Sequence, residues 1–279
     1  MTTPLKIFSQ THDTQPIGVF DSGIGGLTVL KALTTHFPDQ DYLYVGDTAR
    51  LPYGTKSPET VIKYAEGITA KILDHHVKAI VVACNTASTH ALYAVQKMAG
   101  DIPVIGMIDP AALAALEKTK TGHVGVMATC GTVKSDAYAR ALHARQPTCR
   151  VSSVACQMLV ALAEEGWADG DITRAVLHRY LDPVFDCADA PDTLILGCTH
   201  FPIFSDMLQD ILGSSVTLIN SGEAAARHLI PFLGPRDQSP IHTGAQKFFV
   251  TDDPARFAEN AVKFFDHRLS VDQVQVIDI

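Results

Sequence analysis

Two short apolar segments that each end at a cysteine constrain most strongly what this chain can fold into. Residues 81–83 precede Cys84, and residues 194–197 precede Cys198. Short, continuous apolar runs of this kind are typical of strands that are buried on both faces of a parallel sheet. Open α/β sheets bind ligands at the carboxyl ends of such strands. The sequence therefore predicts that both cysteines stand at a ligand-binding edge.

Polar residues that can begin a helix follow each cysteine, namely Asn85, Thr86, Thr199 and His200. Unpaired backbone N–H groups at the start of a helix favour a thiolate nearby. A single cysteine after an apolar strand is most often a small, buried core residue. Because the pattern occurs twice, about one domain length apart, we instead predict two thiols that face one small molecule from opposite sides.

Strand and helix signals alternate along the chain and predict an α/β fold. Residues 17–20 and 124–127 read Ile-Gly-Val-Phe and Val-Gly-Val-Met, and superposing them aligns Ser22 with Thr129. We therefore predict two pseudo-symmetric, doubly wound parallel-sheet domains that arose by duplication. The active site is expected in the cleft between them, which is a normal place for a ligand.

The predicted elements assign most of the chain to one domain or the other. Strands are expected at residues 17–20, 42–46, 80–83, 104–108, 123–127, 151–154, 194–197, 216–219, 248–251 and 274–277. The clearest helix signals cover residues 27–37, a segment beginning at 58, and residues 86–98, 171–185, 222–232 and 254–265. Residues 234–240 are the best candidate linker. The predicted domains are residues 16–108 with 221–279, and residues 109–220.

Composition and motifs narrow the class of protein. The 279 residues carry a net charge of −8 and no basic run, which argues against a nucleic-acid partner. Residues 1–15 lack the apolar core of a signal peptide, and no apolar run approaches the ~18 residues of a membrane-spanning helix. The six cysteines include no C-x-x-C pair, which argues against a zinc ribbon. We expect a cytoplasmic enzyme with free thiols, no membrane partner and no metal.

A glycine-rich segment follows the first predicted strand. Gly23, Gly25 and Gly26 lie where backbone can approach a ligand closely. Their spacing is G-x-G-G, whereas the dinucleotide fingerprint is G-x-G-x-x-G. The segment therefore predicts a close-approach loop and does not favour a nucleotide site.

Two facing thiols could form a disulfide, bind a metal, or exchange protons with a substrate. A reducing cytosol disfavours the disulfide. A metal site would need further ligands at short spacing, and only His200 qualifies. A single Cys–His nucleophile pair would leave the other cysteine without a role. Proton transfer uses both thiols: one thiolate removes a proton from a carbon, the opposite thiol returns one to the other face, and the stereocentre inverts.

Four blocks in order resemble the signature blocks of the bacterial glutamate racemase family: residues 21–30, 46–54, 82–88 and 196–202. Further similar segments are residues 125–132, 164–166, 221–223 and 251–254, so that the resemblance extends from about residue 16 to residue 265. It implies a cofactor-independent isomerase that interconverts L- and D-glutamate. It further implies that the enzyme supplies D-glutamate for peptidoglycan synthesis, and therefore serves cell-wall biogenesis and cell shape.

The resemblance also implies roles for individual residues. Cys84 and Cys198 are the acid/base pair, with Cys84 acting on the D-enantiomer and Cys198 on the L-enantiomer. Asp21 and His200 assist the thiols, and Asp21 and Glu164 can hold the α-ammonium group. The implied substrate contacts are Asp21, Ser22, Pro52, Tyr53, Gly54, Asn85, Thr86, Thr129, Glu164, Thr199 and His200.

Two positions depart from the family pattern, and two rival functions stay open. Asp109 stands where a glutamate usually precedes the proline, and Cys130 stands where small or acidic residues are common.

The nearest rival is a racemase of another acidic amino acid such as aspartate. The other is a two-domain protein that binds an amino acid without turning it over. The oligomeric state, a homodimer included, and regulation by a peptidoglycan precursor are also open.

Overall fold

The computed structural model describes residues 15–233 and 243–279, in which strands and helices alternate as the sequence predicts. The predicted linker at residues 234–240 and most of the expected leader lie outside the described residues. The strands of the described part are β1 (Ile17–Asp21), β2 (Tyr42–Gly46), β3 (Ala79–Val82), β4 (Val104–Ile105), β5 (His123–Ala128), β6 (Arg150–Ala155), β7 (Thr193–Gly197), β8 (Thr217–Asn220), β9 (Gln246–Val250) and β10 (Val274–Val276).

Helices connect these strands on both sides of the sheets. They are α1 (Leu27–His36), α2 (Pro58–Leu73), α3 (Asn85–His90), α4 (Leu92–Ala99), α5 (Ile108–Lys118), α6 (Cys130–Lys134), α7 (Ala137–Arg145), α8 (Gln157–Glu165), α9 (Gly170–Phe185), α10 (Ser205–Leu212), α11 (Ser221–Leu233) and α12 (Pro254–Phe265). Short 3-10 helices cover Tyr53–Thr55, Phe201–Phe204 and Val271–Gln273. No described helix has the length and apolar character needed to span a membrane.

The strands form two parallel sheets. The first has the order β10-β9-β2-β1-β3-β4, and the second has the order β6-β5-β7-β8. Every pairing in both sheets is parallel. The order β2-β1-β3-β4 recurs as β6-β5-β7-β8, so the predicted pseudo-symmetric pair of doubly wound sheets is confirmed. The last two strands of the chain extend the first sheet only.

The strand order places a topological switch point in each sheet. In the first sheet the chain goes from β1 to β2 on one side and then crosses to β3 on the other. In the second sheet it goes from β5 to β6 and then crosses to β7. Crevices form at the carboxyl ends of strands where the order reverses in this way. The residues just after β1, β3, β5 and β7 therefore have the positions that a ligand site requires.

The central strands are buried along their whole length, which explains why their sequences are continuously apolar. Side chains that alternate along a strand point to opposite faces of its sheet. Val19, Val81, Met127 and Leu196 belong to one hydrophobic cluster that is shared by the two sheets. Phe20 faces away from it and packs in a second cluster beneath α2 and α4. The shared cluster holds the two sheets together beneath the cleft.

Several predicted element boundaries differ from those of the structure. The helix predicted at residues 86–98 is interrupted at Ala91, which separates α3 from α4. The strand predicted at 104–108 ends at Ile105, because Ile108 already begins α5. Pro110 is compatible with that helix since the N–H groups of a first turn have no intrahelical acceptor. The helices predicted to begin at residues 171 and 222 each begin one residue earlier, at Gly170 and Ser221.

Candidate active site

One cavity lies where the carboxyl ends of β1 and β3 face those of β5 and β7. The empty space within it, including the part that is open to solvent, is about 300 Å³. Its lining residues come from both sheets and their loops: Ser22, Pro52, Tyr53, Gly54, Cys84, Asn85, Thr86, Thr129, Val160, Cys198, Thr199 and His200. Eleven of the thirteen residues predicted from the sequence are in this set, and Asp21 and Glu164 are not.

Cys84 follows β3 and stands at the N-cap of α3, as the sequence predicts. Its Sγ atom accepts a hydrogen bond from the backbone N–H of Ala87 at 3.5 Å. Burial raises the pKa of the Cys84 thiol to about 12, and the negative charge of Asp21 acts in the same direction. The N–H group at the helix start lowers the pKa, as the sequence predicts, but burial outweighs it. Cys84 is a neutral thiol at neutral pH.

Cys198 follows β7, and its surroundings differ from those of Cys84. Its Sγ atom lies 3.8 Å from Nδ1 of His200, two residues further along the chain. Burial lowers the pKa of His200, but hydrogen bonding to Cys198 and the neighbouring Glu164 carboxylate outweigh burial and raise it above its ordinary value. A protonated imidazole at this distance favours the charged form of a thiol. The contact therefore places a cationic imidazole beside the sulfur of Cys198.

Glu164 lies behind His200, away from the cavity wall. Its Oε1 atom is 3.3 Å from Nε2 of His200, although the N–H does not point at it with hydrogen-bond geometry. The backbone carbonyl of Glu164 accepts a hydrogen bond from Nζ of Lys263 on α12. Its position suits a carboxylate that stabilises a protonated imidazole.

Asp21 ends β1 and is fully buried. Its Oδ2 atom accepts backbone N–H groups of Gly23 and Gly26 at 3.1 and 2.9 Å, and its Oδ1 atom lies 3.5 Å from the Thr199 hydroxyl, which donates to it. Burial raises the pKa of this carboxyl group. A Cβ atom at Gly26 would lie 2.4 Å from Cβ of Asp21, so this loop requires glycine there. Asp21 thus organises the glycine-rich loop from one layer behind the cavity.

Hydroxyl groups from the two sheets meet on the other side of the cavity. Oγ1 of Thr86 lies 2.9 Å from Oγ1 of Thr129, and Thr132 lies within hydrogen-bond reach of both. The Tyr53–Thr55 turn packs against α6 from the second sheet. A Cβ atom at Gly54 would lie 2.6 Å from Cβ of Thr129, so only glycine allows this approach. These contacts bring the first sheet's loop onto the second sheet.

Sequence reasoning missed three residues at this site. Val160 on α8 lines the cavity, but an apolar residue on an amphipathic helix is indistinguishable from a core residue in sequence. Thr132 and Tyr138 contact Thr86 and Asn85 respectively, and both contacts cross between the sheets. Within the described residues, no group of three or more His, Cys, Asp or Glu side chains is placed to hold a metal ion.

Comparison with known proteins agrees with this geometry. Residues 27–229 match the family model of the Asp/Glu/Hydantoin racemases. The glutamate racemase of Syntrophus aciditrophicus (strain SB) is 42% identical and covers 95% of this chain and 98% of its own length. The two-sheet fold, the cavity and these matches define an isomerase-type enzyme, a racemase. The chain belongs to the Asp/Glu/Hydantoin racemase family, and relatives that are 42% identical to it over more than nine tenths of its length are glutamate racemases.

Solved structures have the same fold. The glutamate racemase of Francisella tularensis subsp. tularensis SCHU S4, in complex with D-glutamate, matches with a TM-score of 0.87 and 37% identity, covering 95% of this chain and 98% of that chain. The glutamate racemase isoform RacE1 of Bacillus anthracis matches with a TM-score of 0.88 and 36% identity, covering 96% and 99% of the two chains. The family resemblance deduced from the four sequence blocks is confirmed.

Proposed function

We propose that this chain is a glutamate racemase that inverts the α-carbon by proton transfer between two thiols. The observation that carries the proposal is that Cys84 and Cys198 border one cavity from the strand ends of different sheets. A carbon held between them would have one thiol on each face. The names of the relatives support glutamate as the substrate, and so does the solved complex of one of them with D-glutamate.

In the proposed reaction, the Cys198 thiolate removes the α-proton of L-glutamate. The electron pair of the broken C–H bond remains on the α-carbon, which then takes the proton of the Cys84 thiol on the opposite face. The product is D-glutamate, with Cys198 as a thiol and Cys84 as a thiolate, and the reverse reaction exchanges these roles. The different surroundings of the two cysteines support this direction, since Cys198 contacts His200 whereas the carboxylate of Asp21 raises the pKa of Cys84.

Substrate binding is assigned to the polar groups on the cavity wall. The amide of Asn85 and the hydroxyls of Thr86 and Thr129 are donors suited to carboxylates. Asp21 and Glu164 were expected to hold the α-ammonium group. Their positions behind the wall instead support an indirect role, in which Glu164 acts through His200 and Asp21 through the loop that carries Ser22.

The experiment that tests the proposed function is racemisation of pure enantiomers without any added cofactor. Loss of optical rotation from L-glutamate, with a much lower kcat/KM on L-aspartate, is the expected result. Preference for L-aspartate would favour the rival substrate. Binding of glutamate by calorimetry without any change in rotation would favour the non-catalytic rival.

Three broader assignments belong to the same proposal. We place the enzyme in the cytoplasm, where it would supply D-glutamate for peptidoglycan, and complementation of a D-glutamate auxotroph tests this role. We divide the chain into two domains. The first comprises residues 16–108 and 221–279, and the second comprises residues 109–220. Addition of β9 and β10 to the first sheet supports that division. Sedimentation equilibrium decides whether the protein is a homodimer.

A further inference from the structure

Tyr138 contacts the residue next to each of the two cysteines. It lies on α7, between β5 and β6 of the second sheet, and is 2% exposed. Its hydroxyl is 2.6 Å from Oδ1 of Asn85, the residue after Cys84 in the first sheet's half of the site. A Cβ atom at Gly197, the residue before Cys198, would lie 2.9 Å from Cε2 of the tyrosine ring. One side chain therefore spans the cleft.

The contact between Tyr138 and Asn85 is short enough to indicate which atom of the Asn85 amide faces the tyrosine hydroxyl. Hydrogen bonds of the O–H···O type are usually 2.7–2.8 Å long, whereas N–H···O bonds are usually nearer 2.9–3.0 Å. A separation of 2.6 Å thus fits the amide oxygen better than the amide nitrogen. Burial also raises the pKa of the Tyr138 hydroxyl, so it keeps the proton that it donates.

This orientation leaves the amide nitrogen of Asn85 as the group available to a ligand. Nδ2 carries two hydrogens and has one long contact, 3.5 Å to Oγ of Ser221 at the start of α11. Asn85 itself lines the cavity. A free amide that rotated by half a turn would instead present its oxygen, which repels a carboxylate. The tyrosine hydroxyl therefore selects the orientation that suits an anionic substrate.

We propose that Tyr138 is a positioning residue: its hydroxyl fixes the Asn85 amide as a carboxylate donor, while its ring packs against the strand end that carries Cys198. The proposal rests on the proposed racemase function. It adds a determinant of substrate affinity that acts entirely through Asn85, and it explains why a buried hydroxyl from the second sheet reaches into the first sheet's half of the site.

The test is a double-mutant cycle with Tyr138→Phe, Asn85→Ala and the double variant. Tyr138→Phe keeps the ring and removes only the hydroxyl. Because the Asn85 amide binds the carboxylate equally in ground state and transition state, KM for glutamate should rise about tenfold with little change in kcat. In the Asn85→Ala background the same change should have no further effect on KM. Equal effects of Tyr138→Phe in both backgrounds, or an unchanged KM, would overturn the proposal.

A second readout keeps the result separate from the proposed function. The midpoint of urea unfolding should fall when Tyr138→Phe is made in the wild type and fall less in the Asn85→Ala background, whether or not the protein racemises glutamate. Wild-type protein that does not racemise glutamate would refute the proposed function alone. Equal midpoint shifts in the two backgrounds would contradict the hydrogen bond itself.

Tyr42→Phe is the matched control. The Tyr42 hydroxyl is buried and lies 2.9 Å from the carbonyl oxygens of Leu33 and Phe37, either of which can accept its one hydrogen. Tyr42 begins β2, at the end of the strand opposite the cavity. This variant should lose stability and keep the wild-type KM. If KM rises as much in the control as in Tyr138→Phe, a general loss of stability on removing a buried hydroxyl explains the effect. That result would also overturn the proposal.

Discussion

Nδ1 of His200 lies 3.8 Å from Sγ of Cys198, whereas the charge that most affects the pKa of Cys84 is the carboxylate of Asp21, which raises it. The two halves of the molecule repeat the same strand order, but they give their cysteines opposite electrostatic surroundings. An imidazolium stabilises a thiolate, and a carboxylate opposes one. This difference matches the proposed roles in the reaction from L-glutamate, in which Cys198 beside His200 is the base and the protonated Cys84 is the acid.

Replacing either cysteine by serine should abolish racemisation. A serine hydroxyl is far less acidic than a thiol and is a poor base at neutral pH, so we expect kcat to fall by at least about 10³-fold in Cys84→Ser and in Cys198→Ser. Circular dichroism should stay close to wild type. Cys187→Ser, which changes an exposed cysteine, is the control and should be fully active. Near-normal rates in either active-site variant would refute the assignment.

The two buried cysteines should differ in reactivity toward iodoacetamide. Each is 5% exposed, so access is matched and ionisation decides the rate. At pH 7 we expect Cys198 to be alkylated well before Cys84, whose pKa of about 12 keeps it protonated. Peptide mass spectrometry resolves both sites from Cys130 and Cys187. His200→Asn should remove the preference, and equal labelling in the wild type would contradict the proposed difference between the surroundings of the two cysteines.

Neutralising Asp21 should make Cys84 more acidic. Its carboxylate raises the pKa of Cys84, so Asp21→Asn should lower that pKa and increase the thiolate fraction at any pH below it. We expect alkylation of Cys84 at pH 9 to accelerate several-fold, as measured by mass spectrometry. Asp101→Asn, which changes an exposed carboxylate, should leave the rate unchanged. No acceleration in the first variant would mean that Asp21 is not charged in the folded enzyme.

Activity should survive removal of metals and cofactors. The proposed reaction uses only the thiols, so exhaustive dialysis against a chelator should leave kcat unchanged, with no cofactor absorbance in the dialysed protein. A metal-dependent enzyme treated in parallel verifies that the chelator works. Activity that is lost on dialysis and returns only with a metal or pyridoxal phosphate would rule out a purely thiol-based reaction.

Local sequence patterns predicted the parts of the molecule that depend on neighbouring residues. The strand ends at Cys84 and Cys198 were predictable because buried parallel strands are continuously apolar. The start of α5 at Ile108 was not, since an apolar run followed by Asp109 and Pro110 also fits the end of a strand. Composition alone likewise does not predict that burial raises the pKa of Cys84 more than the N–H group at the helix start lowers it.

Local sequence patterns do not predict the contacts between the two sheets. Tyr138 lies 53 residues from Asn85 in sequence, and nothing near it indicates a partner in the other sheet. Glu164 was predicted at the site, but its placement behind His200 depends on how α8 packs across the cleft. Such positions follow from the mutual arrangement of two sheets, which a single sequence read element by element does not specify.

Incorporation of solvent deuterium tests the central claim most directly. In D₂O, with L-glutamate as substrate and less than about one tenth converted, Cys84 would deliver a solvent-derived deuteron to the product face, while the proton taken by Cys198 stays on the other face. Proton NMR of the separated enantiomers should find D-glutamate deuterated at the α-carbon and the remaining L-glutamate still protiated. Deuterium appearing in unreacted L-glutamate as fast as in the product, or a protiated product, would contradict two-base transfer between Cys84 and Cys198.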